Sequence, residues 1–231
     1  MPRLARSVAV GFAHHITQRG NNRQDVFFVD DDRKVYLELL KEQTVKYGMD
    51  IVGYCLMSNH IHLVSIPHAE DSLAKAIGRT HFLYTQYINR FHHRSGHLWQ
   101  GRFYSCALDE PHFFLAMKYI ELNPVRARLC RKPWRYEFSS AAAHIDVKTG
   151  SDFLNLPSWF DMISAEQWRK ELTDGLSDSE VVRLRLNTHT GRPLGSDSFL
   201  SKLEKLLGRR LRPLPVGRPK KRKKVKGKND L

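Results

Sequence analysis

MDIVGYCLMSNHIHLVSIP, residues 49–67, is the stretch that decides the fold. Residues 49–57 and 60–66 are rich in Ile, Val, Tyr and Leu, which favour strands. Only Ser58 and Asn59 separate the two runs, which is the length of a tight turn. The segment therefore predicts a hairpin of two antiparallel strands.

Elements of both types flank this hairpin. Apolar residues recur every three to four positions where a helix is predicted and fill shorter runs where a strand is predicted. The order strand, helix, strand, strand, helix, strand, helix predicts an α+β fold, a ferredoxin-like split βαβ antiparallel sheet with helices on one face. The flanking elements are strands at 8–18 and 98–108 and helices at 30–48, 71–92 and 109–122.

The second half of the chain divides into a polar helical region and a basic tail. Residues 1–135 are predicted to form the domain that carries the sheet, 136–208 an accessory C-terminal helical region, and 209–231 a flexible, disordered tail. The tail holds eleven Lys and Arg residues against Asp230 alone. Its prolines and glycines, together with repulsion between like charges, disfavour a folded structure.

The net charge of +14 predicts a polyanionic partner, because clustered basic side chains release counterions when they bind phosphates. Arg218, Lys220 and Lys221 are candidate DNA contacts in a run that resembles an AT-hook. The same run is also similar to a nuclear localisation signal, so a targeting role and a role in solubility stay open.

No apolar run reaches the roughly 18 residues that a membrane span needs, and the first residues lack the apolar stretch of a secretory signal. We therefore expect a cytoplasmic, nucleoid-associated protein that does not bind membranes. Cys55, Cys106 and Cys130 are widely spaced and include no Cys-x-x-Cys pair. They are interpreted as reduced core or strand residues.

His60 and His62 lie on the second strand of the predicted hairpin. Because side chains alternate along a strand, both imidazoles project from one face, about 7 Å apart. Two imidazoles in this arrangement can bind one cation, but they can equally be surface or hydrogen-bonded histidines.

Tyr119 and Asn123 lie one turn apart on the flank of the last predicted helix. A phenol and an amide oxygen thus share one polar edge. The alternative is a half-buried core tyrosine followed by a helix-capping asparagine before Pro124. Glu121 is the nearby acidic residue, and its position about 200° around the helix directs it away from Tyr119.

Several motifs resemble those of the REP-associated tyrosine transposases, which belong to the single-tyrosine HUH transposases. SNHIHL at 58–63 and KYIELNPVRA at 118–127 are similar to the two core motifs of that family. The resemblance extends to HITQRGNNR at 15–23, LWQGRF at 98–103 and GRPLGS at 191–196. Several motifs in the same order are more specific than any one of them.

The resemblance implies that residues 1–135 form an HUH catalytic domain in which Tyr119 is the nucleophile. His60, His62 and, as a third ligand, Asn123 would hold a divalent metal, magnesium or manganese. The tyrosine would form a 5′-phosphotyrosine link to single-stranded DNA and then rejoin it at REP-like hairpins. No general base stands out, since Lys118 and His112 have the character of surface residues.

Loop and strand-end residues are the candidate DNA contacts outside the tail. A monomer is expected, with a dimer as the alternative. A DNA-hairpin-binding regulator without required catalysis is the second hypothesis, and a relaxase is disfavoured because relaxases generally carry helicase or larger partner domains. The candidate contacts are Arg19, Asn21, Asn22, Arg23 and Arg102.

Overall fold

A computed structural model describes residues 7–146 and 153–213. Within these ranges four strands and nine α-helices follow one another, with short 3-10 turns at Asn21–Arg23 and Pro133–Arg135. No helix there combines the length and apolar character needed to cross a bilayer. The strands are β1 His14–Arg19, β2 Met49–Met57, β3 His60–Pro67 and β4 Tyr104–Ala107, and the helices are α1 Asp30–Lys46, α2 Ser72–Phe91, α3 Glu110–Glu121, α4 Asn123–Arg126, α5 Ala141–Ile145, α6 Leu156–Met162, α7 Ala165–Asp174, α8 Asp178–Thr190 and α9 Asp197–Leu207.

The strands form one antiparallel sheet in the order β2-β3-β1-β4. This order is that of a ferredoxin-like split βαβ sheet, so the predicted α+β fold and the β2-β3 hairpin are confirmed. The register pairs Thr17 with His62 and Arg19 with His60. Paired residues point to the same face of a sheet, so β1 and β3 share the face that carries the two histidines.

Helices cover both faces of this sheet, which corrects the prediction that they lie on one face. The helices α1 and α2 pack on the face that includes Ile16 and Leu63. The helix α3 and the C-terminal helices α7 and α8 pack on the other, around Cys55 and Val64. Because both faces are covered, β2 and β3 are buried along nearly their whole length rather than on alternate residues.

The predicted strand at 98–108 is shorter in the structure. Only Tyr104–Ala107 pair as a strand, and residues 98–103 form a loop that joins β1 through a bridge between Gly20 and Trp99. Leu98, Trp99 and Phe103 are apolar because they fill the first core from this loop. Their composition therefore indicated burial and not strand geometry.

The segment after α9 folds back on that helix. Glu204 accepts hydrogen bonds from the backbone N–H groups of Leu211 and Arg212, and Leu211 is buried beside Leu203. The first residues of the predicted tail are thus packed, while 214–231 lie outside the described residues.

A buried carboxylate fixes the C-terminal end of α3. Glu121 is fully buried and accepts hydrogen bonds from Ser140 at 2.6 Å, His144 at 2.5 Å and Trp168 at 2.8 Å. Ser140 and His144 belong to the start and the body of α5, and Trp168 belongs to α7. The Glu121 side chain therefore connects α3 to both of these helices. As predicted, Glu121 does not face Tyr119.

We expect Glu121→Ala to lower the free energy of unfolding by about 3–5 kcal/mol, because it leaves the buried N–H groups of His144 and Trp168 without their acceptor. Denaturant unfolding followed by circular dichroism measures the change. Glu171→Ala is the matched control, since it breaks a surface pair with Lys118 and is expected to cost less than about 1 kcal/mol. Equal losses in the two variants would contradict the assignment.

Candidate active site

Three histidines lie side by side on the sheet face that α3 covers. His60 and His62 come from β3, and His15 comes from β1. The ring centroids of His60 and His62 are 5.1 Å apart and nearly perpendicular. His15 and His62 are also 5.1 Å apart, and their ring planes differ by only 12°. The predicted pair of imidazoles is thus part of a cluster of three.

Tyr119 of α3 meets this cluster. Its ring lies 5.3 Å from that of His62 and 5.7 Å from that of His15, edge to face in both cases. The side chain is 3% exposed, yet it forms part of the wall of a cleft together with His60. The structure therefore brings the predicted nucleophile to the predicted ligands, and Tyr119 is not directed into the core away from them.

Two arginines bracket Tyr119. The Arg185 Nε of α8 donates a hydrogen bond to the phenol oxygen at 3.1 Å. The Arg126 guanidinium of α4 lies over the phenol ring, 4.1 Å from its centroid. Two positive charges at these positions would stabilise negative charge on the phenol oxygen during a reaction.

Asn123 lies next to His60, in an orientation that the sequence did not predict. Its amide NH2 donates to Nε2 of His60 at 3.4 Å, and its oxygen accepts from Arg126 at 2.9 Å. The arginine determines this orientation because it has no acceptor to offer the NH2 group. A ligand role for Asn123 would require the amide to rotate and give up the Arg126 bond, and that role stays a prediction.

The imidazoles are held neutral. Burial lowers the pKa of His15 to about 3 and, with a contribution from nearby arginines, that of His60 to about 4. Burial also holds the pKa of His62 well below its usual range. Neutral imidazole is the form that binds metal ions.

The donor set suits a divalent cation in part. Nδ1 of His60 donates to the side-chain oxygen of Asn59 at 2.6 Å, and Nδ1 of His62 is bonded to His15 at 3.0 Å, so Nε2 is the nitrogen of each histidine that could bind a metal ion. On His60 the ion would have to displace the NH2 group of Asn123. Within the described ranges no cluster of three His, Cys, Asp or Glu side chains stands ready for a metal. Any third protein donor would be an amide such as that of Asn123.

The cleft has a volume of about 700 Å³ and a basic lining. Arg19, Arg23 and Arg185 lie on its walls, as do Gln18, Gln100 and Tyr104. Of the other predicted DNA contacts, Asn21 and Asn22 occupy the 3-10 turn beside it, and Arg102 is exposed on the loop that pairs with the end of β1. Arg218, Lys220 and Lys221 lie outside the described residues.

The loop that carries Arg23 is tightly held. Gly20 donates its N–H to the carbonyl of Asn59 at 2.9 Å, and a Cβ at Gly20 would come within 2.2 Å of the backbone oxygen of Gln24. The Asn59 side chain donates to the carbonyl of Arg23 at 3.2 Å. Asn59 therefore orients His60 and holds this loop at the same time.

The sequence of residues 9–123 matches the model of the IS200-like transposases. The chain belongs to this transposase family. The matched segment contains His60, His62, Tyr119 and Asn123, so one family domain carries the whole predicted set of catalytic and ligand residues. The helix α8 of this transposase, with Arg185, lies outside the match.

One solved structure shares this fold. A REP-associated tyrosine transposase bound to a REP hairpin superposes with a TM-score of 0.55 at 15% identity, over 67% of this chain and 94% of that chain. A candidate transposase from Deinococcus radiodurans R1 is 20% identical over 52% of this chain and 96% of its own, with a TM-score of 0.37. Comparison with curated proteins gave no match.

Sequence reasoning did not single out His15, although it begins the HITQRGNNR motif, and it missed three further residues of the site. Arg126 stands inside the KYIELNPVRA motif, three residues after Asn123, and that position could have suggested it. Arg185 and Thr188 lie on a polar helix far along the chain, and no local pattern marks either of them.

The buried imidazoles predict acid sensitivity of the fold. The pKa of His14 is lowered to about 4 by burial and that of His15 to about 3, whereas both should be near 6.5 in the unfolded chain. Stability is therefore fully present above pH 6.5 and falls as the pH is lowered toward 4, because only the unfolded state takes up the protons. By pH 5 we expect a loss of about 2 kcal/mol for each such imidazole.

Urea unfolding at pH 7.5, 6 and 5 measures this loss, in a window where most carboxylates do not yet titrate. His14→Gln is the matched variant, since it removes one titrating group away from the cleft. The free energy of unfolding of the parent should approach that of the variant as the pH falls. A difference between the two that stays constant would contradict protonation of His14 as the cause of the loss.

Proposed function

We propose that this transposase cleaves and rejoins single-stranded DNA through the hydroxyl of Tyr119, beside a magnesium or manganese ion held by His60 and His62. One observation carries the proposal. A phenol from α3 and two neutral imidazoles from β3 converge in one basic cleft, with 5.3 Å between the rings of Tyr119 and His62. Each group alone has an ordinary structural explanation, whereas their convergence is typical of a catalytic centre.

The lining of the cleft favours a nucleic-acid strand as substrate. Arg19, Arg23 and Arg185 present positive charge along its walls, which suits consecutive phosphates. The REP hairpin bound to the REP-associated transposase of the same fold supports a hairpin as the element recognised. Asn21, Asn22 and Arg102 are proposed to contact DNA beside the cleft. Arg218, Lys220 and Lys221 are proposed to add contacts that do not depend on sequence.

Cleavage would begin with attack of the Tyr119 oxygen on a phosphorus atom in the cleft. The phenol gives up its proton to solvent, a bond forms between its oxygen and phosphorus, and the bond from phosphorus to the 3′ oxygen breaks. The 3′ oxygen takes up a proton from solvent and leaves as a hydroxyl. The DNA is then joined to the protein as a 5′-phosphotyrosine. Arg185 and Arg126 stabilise the phenolate during attack, one by its hydrogen bond and one by its position over the ring.

Nε2 of His60 and Nε2 of His62 are the atoms proposed to hold the divalent ion. When bound, such an ion supplies charge neutralisation at a non-bridging phosphate oxygen and orients the phosphate. The tyrosyl phosphodiester conserves the energy of the broken bond, so the 3′-hydroxyl of a second strand can reverse the reaction without a nucleotide cofactor. The outcome is strand transfer and not simple hydrolysis.

A single chain supplies the complete set of groups. Tyr119 meets the histidines of its own sheet and Arg185 of its own α8, so no residue from a second copy is needed to complete the cleft. This arrangement supports a monomer as the active form.

Tyr119→Phe should abolish the covalent adduct with a single-stranded hairpin oligonucleotide in the presence of manganese, while hairpin affinity changes less than about threefold. The ring stays and only the nucleophilic oxygen is lost. Denaturing gel electrophoresis of labelled DNA detects the adduct, and fluorescence anisotropy measures affinity. Tyr47→Phe, outside the cleft, is the control for a tyrosine substitution as such.

Tyr104→Phe distinguishes the two tyrosines of the cleft. Adducts that persist in Tyr119→Phe and vanish in Tyr104→Phe would move the nucleophile to Tyr104. A parent protein that binds hairpins tightly and forms no adduct would favour the hairpin-binding regulator.

Arg185→Met should slow adduct formation at least about tenfold, because it removes a charged hydrogen bond to the attacking oxygen and keeps an unbranched side chain that reaches about as far as Nε. Single-turnover kinetics at saturating DNA separate this effect from binding. Arg183→Met is the matched control, since Arg183 is an exposed arginine of the same helix that does not line the cleft. Equal rates in the two variants would remove Arg185 from the mechanism.

A further inference from the structure

A buried chain of hydrogen bonds leads from α8 to His62. The Thr188 hydroxyl donates to the carbonyl oxygen of Leu184 at 2.8 Å, and the same hydroxyl oxygen lies 2.8 Å from Nδ1 of His15. Nε2 of His15 lies 3.0 Å from Nδ1 of His62. His15 is 1% exposed and Thr188 is 2% exposed, so no solvent competes for these bonds.

The donors and acceptors of this chain follow from the single hydrogen of the threonine hydroxyl. Because that hydrogen goes to the Leu184 carbonyl, the Thr188 oxygen accepts from Nδ1–H of His15. The Cys106 sulfur, 3.3 Å from the same oxygen, is a weaker acceptor than a carbonyl and does not take the hydrogen. A neutral His15 has one N–H, so its Nε2 accepts and Nδ1 of His62 donates.

The direction of the chain determines which nitrogen of His62 is available. With hydrogen on Nδ1, Nε2 of His62 carries a lone pair toward the cleft, as a metal ligand must. With the chain reversed, the hydrogen would be on Nε2 and would block coordination. The small angle of 12° between the rings of His15 and His62 suits an in-plane bond and holds the ring of His62 in orientation.

We propose that His15, itself oriented by Thr188, is a positioning residue that fixes the tautomer and ring orientation of His62 for metal binding. The inference rests on the metal site of the proposed function. It also assigns a role to α8, which lies outside the matched family segment: this helix completes the support of the metal site through Thr188.

Manganese binding by the full chain without DNA is the first test, measured as free ion by electron paramagnetic resonance. His15→Phe keeps an aromatic ring and removes both nitrogens, so manganese affinity should fall about tenfold to a hundredfold. His15→Gln places an amide oxygen where Nε2 stood and should restore affinity to within about threefold. Thr188→Val should weaken manganese binding, and Thr188→Ser should retain it. This second pair of variants provides the test if His15→Phe does not fold.

The second test determines the tautomer of His62. Long-range proton–nitrogen correlation spectra are recorded on the metal-free protein with nitrogen-15-labelled histidine. We expect hydrogen on Nδ1 of His62 in the parent and in Thr188→Ser. Hydrogen on Nε2 in the parent, or unchanged manganese affinity in folded His15→Phe and Thr188→Val, would overturn the inference. Should the parent bind no manganese, the metal part of the proposed function fails, and the tautomer still decides whether His15 orients His62.

Discussion

The packing of α3 on the sheet face that carries three imidazoles is the constraint on which the rest of the structure depends. Both ends of the helix are fixed. Asp109 accepts from the N–H of His112 in the first turn and from that of Ser196 in the C-terminal region, and Glu121 accepts three buried hydrogen bonds at the other end. The position of Tyr119 follows from these two anchors. Glu121 therefore helps to position the site although it does not line the cleft.

Local patterns were enough to predict the hairpin and the helices α1, α2 and α3. The shared face of His60 and His62 follows from strand alternation, and the shared flank of Tyr119 and Asn123 follows from helical rotation. The second layer of helices could not be predicted in this way. Whether a strand is buried on one face or on both depends on which helices pack against it. The sequence of residues 49–57 does not identify those helices.

The parts of the site that sequence reasoning missed depend on contacts between distant segments. Arg185 and Tyr119 are 66 residues apart in the chain, and Thr188 and His15 are 173 residues apart. The orientation of the Asn123 amide depends on its hydrogen bond with the side chain of Arg126. Position along the chain supplies none of this information.

The glycine at position 20 has a consequence for recognition. Any larger residue there would collide with the backbone of Gln24, so only glycine allows the turn that bears Arg23 to close tightly. Main-chain hydrogen bonds hold this turn to Asn59 and Leu98. In the proposed function, an incoming DNA strand would meet cationic groups on a preorganised backbone, and the loop would lose little conformational entropy on association. The missing side chain of Gly20 would thus favour DNA affinity at the Arg23 loop by allowing the loop to hold its shape before DNA binds.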